Sequence, residues 1–373
     1  MERGRRTTLN AEHLALGGRM VVFAGWEMPV QYEATGPLAE HHAVRNAAGL
    51  FDIDHMGQLS IAGPDAVPFL NALLTVEIAD VPLWAAQYGL LPYADGGLVD
   101  DVFLYHLDDA WWLVVNAGNR EKARRWLQAH ATGYDVRVED ISDTTYMLAL
   151  QGPKACDILQ HVTNTDLHRI PFHTAARGEV AGAPALISNS GYTGEYGFEL
   201  YFPAEDALTV WRSLLDAGKP EGLLPAGLAA RDSLRFEAAL PLYGHEISAT
   251  IDPISARLGR FVHFDKGPFM GRDALLKIAL EGPARKLVGL EMIESAVPRE
   301  GYLVQADGQT VGRVTSGMKA PTLNKFAAMA LVDAELAVPG TELDVVVREK
   351  PKRARVVPLP FYTPAYRRRP TTG

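Results

Sequence analysis

Cysteine is nearly absent: Cys156 stands alone in 373 residues. A disulfide framework needs pairs and a cysteine-built zinc site needs clusters, so neither is open to this chain. The scarcity fits a reducing compartment. Positive charge is also in deficit. With 36 Lys and Arg against 45 Asp and Glu, the formal net charge is −9, whereas general nucleic-acid binding wants a basic face. No apolar run reaches the length that spans a bilayer. The basic start Met1-Glu2-Arg3-Gly4-Arg5-Arg6 leads into no apolar stretch and does not read as a secretory signal. His41, His42 and His55 lack ligand-like spacing with acidic partners, so no metal site is read. There is no internal repeat and no low-complexity block. These exclusions lead to the expectation of a soluble, cytoplasmic protein without nucleic-acid or membrane partners.

What is present looks globular. Hydrophobic content of 47% and charged content of 22% are ordinary, and the length exceeds what one core supports, so two or three domains are expected. Helix signals cover Thr8 to Leu16, stopped by Gly17-Gly18, and Pro37 to Ala48, with Pro in the first turn and Gly49 past the end. Further helices are expected over Asp65 to Leu74, Asn119 to His130 and Glu205 to Ala217. The last carries Leu208, Trp211 and Leu215 at helical spacing, which reads as a core face. Strands are expected over Gln58 to Ile61, Gln87 to Leu91, Val99 to Leu107, Trp111 to Asn116 and Val136 to Asp140. After Gly282-Pro283 the character changes to short strands. Leu287 to Met292, Thr310 to Val314, Ala327 to Leu331, Leu343 to Val347 and Ala354 to Val357 are separated by turns such as Ala306-Asp307-Gly308. That spacing predicts a small antiparallel barrel or sandwich.

One segment carries more chemistry than packing needs. In Gly96-Gly97-Leu98-Val99-Asp100-Asp101-Val102-Phe103-Leu104-Tyr105, two carboxylates open an apolar, β-branched run. Burying a carboxylate costs several kcal/mol unless it is paired or used. Strand alternation puts Val99, Asp101, Phe103 and Tyr105 on one face and Asp100 on the other, bracing the turn. An acid, a ring and a phenol on one face make the polar end of a ligand pocket.

Several separated motifs extend the pattern. They are Phe23-Ala24-Gly25-Trp26-Glu27-Met28-Pro29, Ala43-Val44-Arg45, Gly49-Leu50-Phe51-Asp52-Ile53-Asp54-His55-Met56-Gly57 and Val115-Asn116-Ala117-Gly118-Asn119. Leu150-Gln151-Gly152-Pro153, Gly191-Tyr192-Thr193-Gly194-Glu195-Tyr196-Gly197-Phe198-Glu199 and Gly227-Leu228-Ala229-Ala230-Arg231-Asp232-Ser233-Leu234-Arg235 follow. The carboxy-terminal part adds Val314-Thr315-Ser316-Gly317, Pro321-Thr322-Leu323 and Pro358-Leu359-Pro360-Phe361. From about Leu9 to Tyr366 the chain resembles the glycine cleavage T-protein family, within the tetrahydrofolate-dependent aminomethyl- and methyltransferases.

The resemblance implies an α+β fold of three domains around a central folate cleft, with a C-terminal antiparallel β-barrel. The expected division is 1–51 plus 139–240 for folate binding, 52–138 plus 241–282 carrying the catalytic acid, and 283–373 for the barrel. It implies tetrahydrofolate as cofactor, lipoylated H-protein as partner, and Asp101 as the catalytic acid near the reactive nitrogens. Glu199 falls on the pterin-binding Glu, and a carboxylate accepts from ring and amino N–H groups in a bidentate way. Arg231 matches a folate-binding Arg suited to the glutamate-tail carboxylates, while Arg235 one turn on is read as structural. Met56, Tyr88, Tyr105, Asn116 and Tyr192 match cleft-lining positions, and Tyr366 lines up with a late folate-contacting Tyr.

The chain departs from the family's usual pattern at Asp54, where Ser is common, at Asn189, at Arg257 and Arg260, and at Lys319-Ala320. Asp54, if it faces the cleft beside Met56, would add negative charge near the one-carbon donor and favour an amine. Two other readings compete with aminomethyl transfer. One is a folate-dependent O-, S- or N-demethylase forming 5-methyltetrahydrofolate. The other is a folate-binding accessory protein, against which the presence of Asp101 argues.

Overall fold

A computed structural model describes residues 4–364. The chain divides into two compact units. Among the described residues the first comprises 4–70, 78–88 and 102–234, and the second comprises 71–77, 89–101 and 235–364.

The first unit is organised by a six-stranded sheet in the order Ala175–Val180, Ala183–Ser188, Gly197–Pro203, Thr145–Gln151, Ala48–Asp52, Leu223–Pro225. All neighbours are antiparallel except the last pair. Both faces are covered, which is why the central strand Thr-Tyr-Met-Leu-Ala-Leu-Gln is apolar almost throughout. Leu148 and Leu150 enter one core with Phe198, Leu200 and Trp211. Met147 and Ala149 enter the other with Phe51, Tyr105 and Tyr201. A three-stranded sheet of Arg5–Arg6, Trp26–Tyr32 and Gly18–Phe23 adjoins it in sequence.

A five-stranded sheet runs Ala86–Pro92, Leu98–His106, Trp111–Val115, Gly57–Ala62, Arg137–Asp140. Its first two strands each have residues assigned to both units. The strands and helices read from sequence over this part are present, with ends shifted by a few residues. The helix Ala207–Gly218 needs one correction. Trp211 is fully buried, but Leu208 is 39% exposed, and the buried stripe is Ala207, Val210, Trp211 and Leu214. At about 100° per residue Leu208 falls on the flank of that stripe and Trp211 within it.

In the second unit six strands close a barrel in the order Arg285–Met292, Lys325–Asp333, Gln309–Ala320, Leu303–Ala306, Glu342–Val347, Lys350–Val357. The antiparallel barrel is as expected, and closure removes every free edge. The strand Leu303–Ala306 was not foreseen. It is four residues long with Leu303 39% exposed, so it has no clear alternation. Its partner is fixed by the turn: Asp307 and Gly308 both take positive φ, 50° and 76°, as a two-residue hairpin requires.

Candidate functional site

Glu199 sits on the strand Gly197–Pro203, where alternation sends Phe198 and Leu200 into one core and leaves Glu199 and Tyr201 on the opposite face. Ser190 Oγ donates to Glu199 Oε2 at 2.8 Å, and the Tyr201 hydroxyl donates to the same oxygen at 3.3 Å. Behind them the Tyr105 hydroxyl lies 2.9 Å from that of Tyr201 and donates to Ser188 Oγ at 3.0 Å. Ser188 in turn donates to Ser190 at 3.1 Å. With the other protons committed toward Glu199, the Tyr105 proton has three acceptors within reach, Ser188, Tyr201 and, at 3.5 Å, Ser190. Burial, and then the Glu199 charge, push the Tyr105 phenol well up, and burial followed by its two polar neighbours does the same for Tyr201. Both stay protonated donors. The consequence is a half-buried carboxylate held by donors that converge on Oε2. No donor among the described residues reaches Oε1, which keeps its lone pairs for the N–H edge of a ligand.

Tyr192 lies in the loop before this strand, and Arg231 lies on the helix Leu228–Glu237. The Arg231 guanidinium stands 4.7 Å from the centre of the Tyr192 ring, a stacked cation and ring, both half-buried. Met56 follows the strand Ala48–Asp52 and packs against the core that contains Tyr105 and Tyr201. Its neighbour His55 is buried edge-on to Phe23, at 5.6 Å. Burial, and then the Arg231 charge, push His55 down to about 4, so it is a neutral imidazole. Tyr88, on Ala86–Pro92, and Asn116, at the turn after Trp111–Val115, are half-buried. Tyr105 differs from these lining candidates: it has no exposed surface and works through its hydroxyl alone.

Asp101 is half-buried on Leu98–His106, alternating with the fully buried Asp100. Within the second unit, the Tyr243 hydroxyl donates to the Leu98 carbonyl at 2.7 Å. Burial, followed by the charges of Asp100 and others including Asp101, pushes that phenol up to about 12. Gly97 admits this arrangement, because a Cβ there would meet the Ala249 carbonyl. Arg235 is structural, as the sequence indicated: it is buried and bonds Glu246 at 2.9 Å. Tyr366 lies outside the described residues.

Asp54 corrects an expectation. It is buried, its carboxylate accepts the Met147 N–H at 3.3 Å, and its own N–H bonds Asp52. Burial, and then the Asp52 charge, push it up to about 9. It is therefore neutral at pH 7 and adds no negative charge. Asp52 keeps the charge. Burial works against it, but the His13 hydrogen bond at 2.9 Å and donors from Thr7 and Asp54 bring it below the usual carboxylate range.

Sequence reasoning missed the hydroxyls of Ser188, Ser190 and Tyr201. Period two places Tyr201 beside Glu199, a signal available in Gly-Phe-Glu-Leu-Tyr. The serines gave no comparable signal, because their role depends on a neighbouring strand.

Residues 9–266 match the GCVT N-terminal domain, and residues 285–363 match the glycine cleavage T-protein C-terminal barrel domain. This chain belongs to the glycine cleavage T-protein family. It is 50% identical to an aminomethyltransferase of Herpetosiphon aurantiacus over 98% of this chain and 100% of the relative. It is 49% identical to one of Moorella thermoacetica over 96% and 98%. Among solved structures, the glycine cleavage system aminomethyltransferase T of Bartonella henselae superposes with a TM-score of 0.91. That match is 34% identical and covers 96% of this chain and 98% of the other. These relatives share one description, aminomethyltransferase, and nothing in the comparisons favours the demethylase reading. The family's enzymes are one-carbon transferases, and this chain is one of them.

Proposed function

We propose that this chain transfers the aminomethyl group of a lipoylated H-protein to tetrahydrofolate, releasing ammonia and forming 5,10-methylenetetrahydrofolate in the cytoplasm. The observation that carries the folate half of this reading is Glu199. Its carboxylate is anchored on one oxygen by Ser190 and Tyr201 and open on the other, as recognition of a pterin's donor edge requires. Tetrahydrofolate, when bound, supplies the amine nitrogens that take up the one-carbon unit.

The remaining roles belong to this chain's side chains. Arg231, stacked on Tyr192, binds the carboxylates of the glutamate tail. Met56, Tyr88, Asn116 and Tyr192 line the cleft, and Tyr105 orients Glu199 from behind. Asp101 holds the proton exchanged with the reacting amines, a contribution of roughly 10²–10⁴ in rate. The reading keeps three domains, 1–51 with 139–240, 52–138 with 241–282, and 283–373.

The test is a product assay with tetrahydrofolate and aminomethyl-loaded, lipoylated H-protein. Wild type should release ammonia and methylenetetrahydrofolate in equal amounts. Asp101→Ala should lower kcat by about 10²–10⁴ with folate binding retained. Folate binding without turnover by the wild type would overturn the assignment of donor and partner.

A further inference from the structure

The helix Gly36–Asn46 is rich in polar residues, yet it buries Glu40, His41 and Arg45 along with Val44. Each polar group is used on a neighbouring element. Glu40 accepts from the backbone N–H groups of Tyr32 at 2.7 Å and Gly227 at 2.9 Å. His41 Nδ1 lies 2.8 Å from Ser233 Oγ. Arg45 reaches furthest. One guanidinium nitrogen donates to the Thr193 carbonyl at 2.8 Å and to Glu195 Oε1 at 3.1 Å, and the other donates to the Leu234 carbonyl at 3.3 Å.

Two of the elements held by Arg45 carry the stacked pair. Thr193 adjoins Tyr192 in the chain, and Leu234 lies on the helix of Arg231, three residues further on. A single buried fork therefore fixes the loop that presents the ring and the helix that presents the cation. We propose that Arg45 is a positioning residue that sets the Tyr192–Arg231 stack and thereby the preference for a folate with its anionic tail. The inference rests on the folate reading above. The planar guanidinium is essential, since a lysine ammonium cannot span acceptors on two elements in this geometry. Gln151 anchors the same loop independently: Thr193 Oγ1 donates to its Oε1 at 2.9 Å, and its Nε2 donates to the Ser190 carbonyl at 2.9 Å. A Cβ at Gly191 would run into that amide. Losing Arg45 thus leaves the loop anchored through Gln151 and removes the Arg45 tie between the Thr193 and Leu234 carbonyls, that is, between the loop and the helix of Arg231.

The experiment compares the binding of tetrahydrofolate and tetrahydropteroate, which keeps the pterin and aminobenzoyl rings but lacks glutamate. Calorimetric titration would use the full chain as wild type, Arg45→Gln and Arg45→Lys, with folding checked by circular dichroism. Wild type should prefer tetrahydrofolate about tenfold, the scale of one charge-assisted hydrogen bond. Both variants should lose that preference while binding tetrahydropteroate within about twofold of wild type. Equal weakening of both ligands would make Arg45 merely structural and overturn the proposal. If neither Arg45 variant folds, Glu195→Gln, which leaves the two carbonyl contacts, should reduce the preference by a smaller factor, and an unchanged preference would overturn it. A wild type that binds both ligands equally removes the tail assignment and the proposal, whereas one that binds neither removes the folate reading itself.

Discussion

The Tyr105 and Tyr201 hydroxyls lie 2.9 Å apart, and only Tyr201 of the two touches Glu199. The pair is graded: Tyr201 is one hydrogen bond from the carboxylate, and Tyr105 is two. Both rings are fully or almost fully buried, so removing either oxygen leaves the packing nearly intact.

Graded loss of folate affinity follows. Tyr201→Phe removes a direct donor to Glu199 and should weaken tetrahydrofolate binding roughly tenfold. Tyr105→Phe removes a donor that supports the network from behind and should weaken binding about threefold. Titration calorimetry with the two variants measures both. Equal effects, or a larger one for Tyr105→Phe, would mean that the network does not act through Glu199.

Asp54 gives a pH signature. Its folded-state pKa, about 9 against an ordinary 3.8, means that the folded chain holds a proton that the unfolded chain releases. Between those two values stability therefore falls as pH rises, and the contribution is fully present only below the unfolded value. Asp54→Asn keeps a neutral group of the same shape and removes the proton linkage. The variant should gain on the wild type steadily from pH 5 to pH 9, at up to about 1.4 kcal/mol per pH unit, read from denaturant midpoints. Parallel pH profiles for the two proteins would show that Asp54 ionises normally.

How much of this was legible beforehand depends on what each residue answers to. The strand of Asp101 and Tyr105 was read from alternation, and the barrel from strand spacing, because both are local periodicities. Arg235 was read as structural and pairs with Glu246, although Glu246 itself gave no signal. Arg45 and Glu40 were invisible as buried groups, because Pro-Leu-Ala-Glu-His-His-Ala-Val-Arg-Asn has the composition of a solvated helix. Arg45 donates to groups 148 to 189 positions away, and Glu40 accepts from Gly227, 187 positions away. The charge on Asp54 was misjudged for the same reason. What neutralises it is burial beside Asp52, which a pattern of side chains along one strand does not record. Leu208 failed more simply, since the buried face centres on Ala207, Val210, Trp211 and Leu214, and Leu208 stands at its edge.

The last prediction starts from the second unit. Glu246 is fully buried and accepts from Arg235 at 2.9 Å, Thr315 Oγ1 at 2.6 Å, Ser316 Oγ at 2.7 Å and the Leu242 N–H at 3.0 Å. Four donors, one of them a cation, satisfy this carboxylate, so Glu246→Gln leaves a buried guanidinium without its counter-charge. The cost should be about 3–5 kcal/mol. All six tryptophans, at 26, 84, 111, 112, 126 and 211, belong to the first unit, so fluorescence reports that unit while far-ultraviolet circular dichroism reports both. In urea the variant should show an earlier transition by circular dichroism with the fluorescence midpoint held. A joint shift of both signals would mean that the units unfold together, and unchanged curves by both methods would mean that the ion pair stabilises nothing. The distinction matters for activity, because Arg235 lies one turn beyond Arg231 on the same helix. Should the variant also lose folate affinity at urea concentrations where fluorescence is native, the ion pair supports the binding helix as well as the barrel.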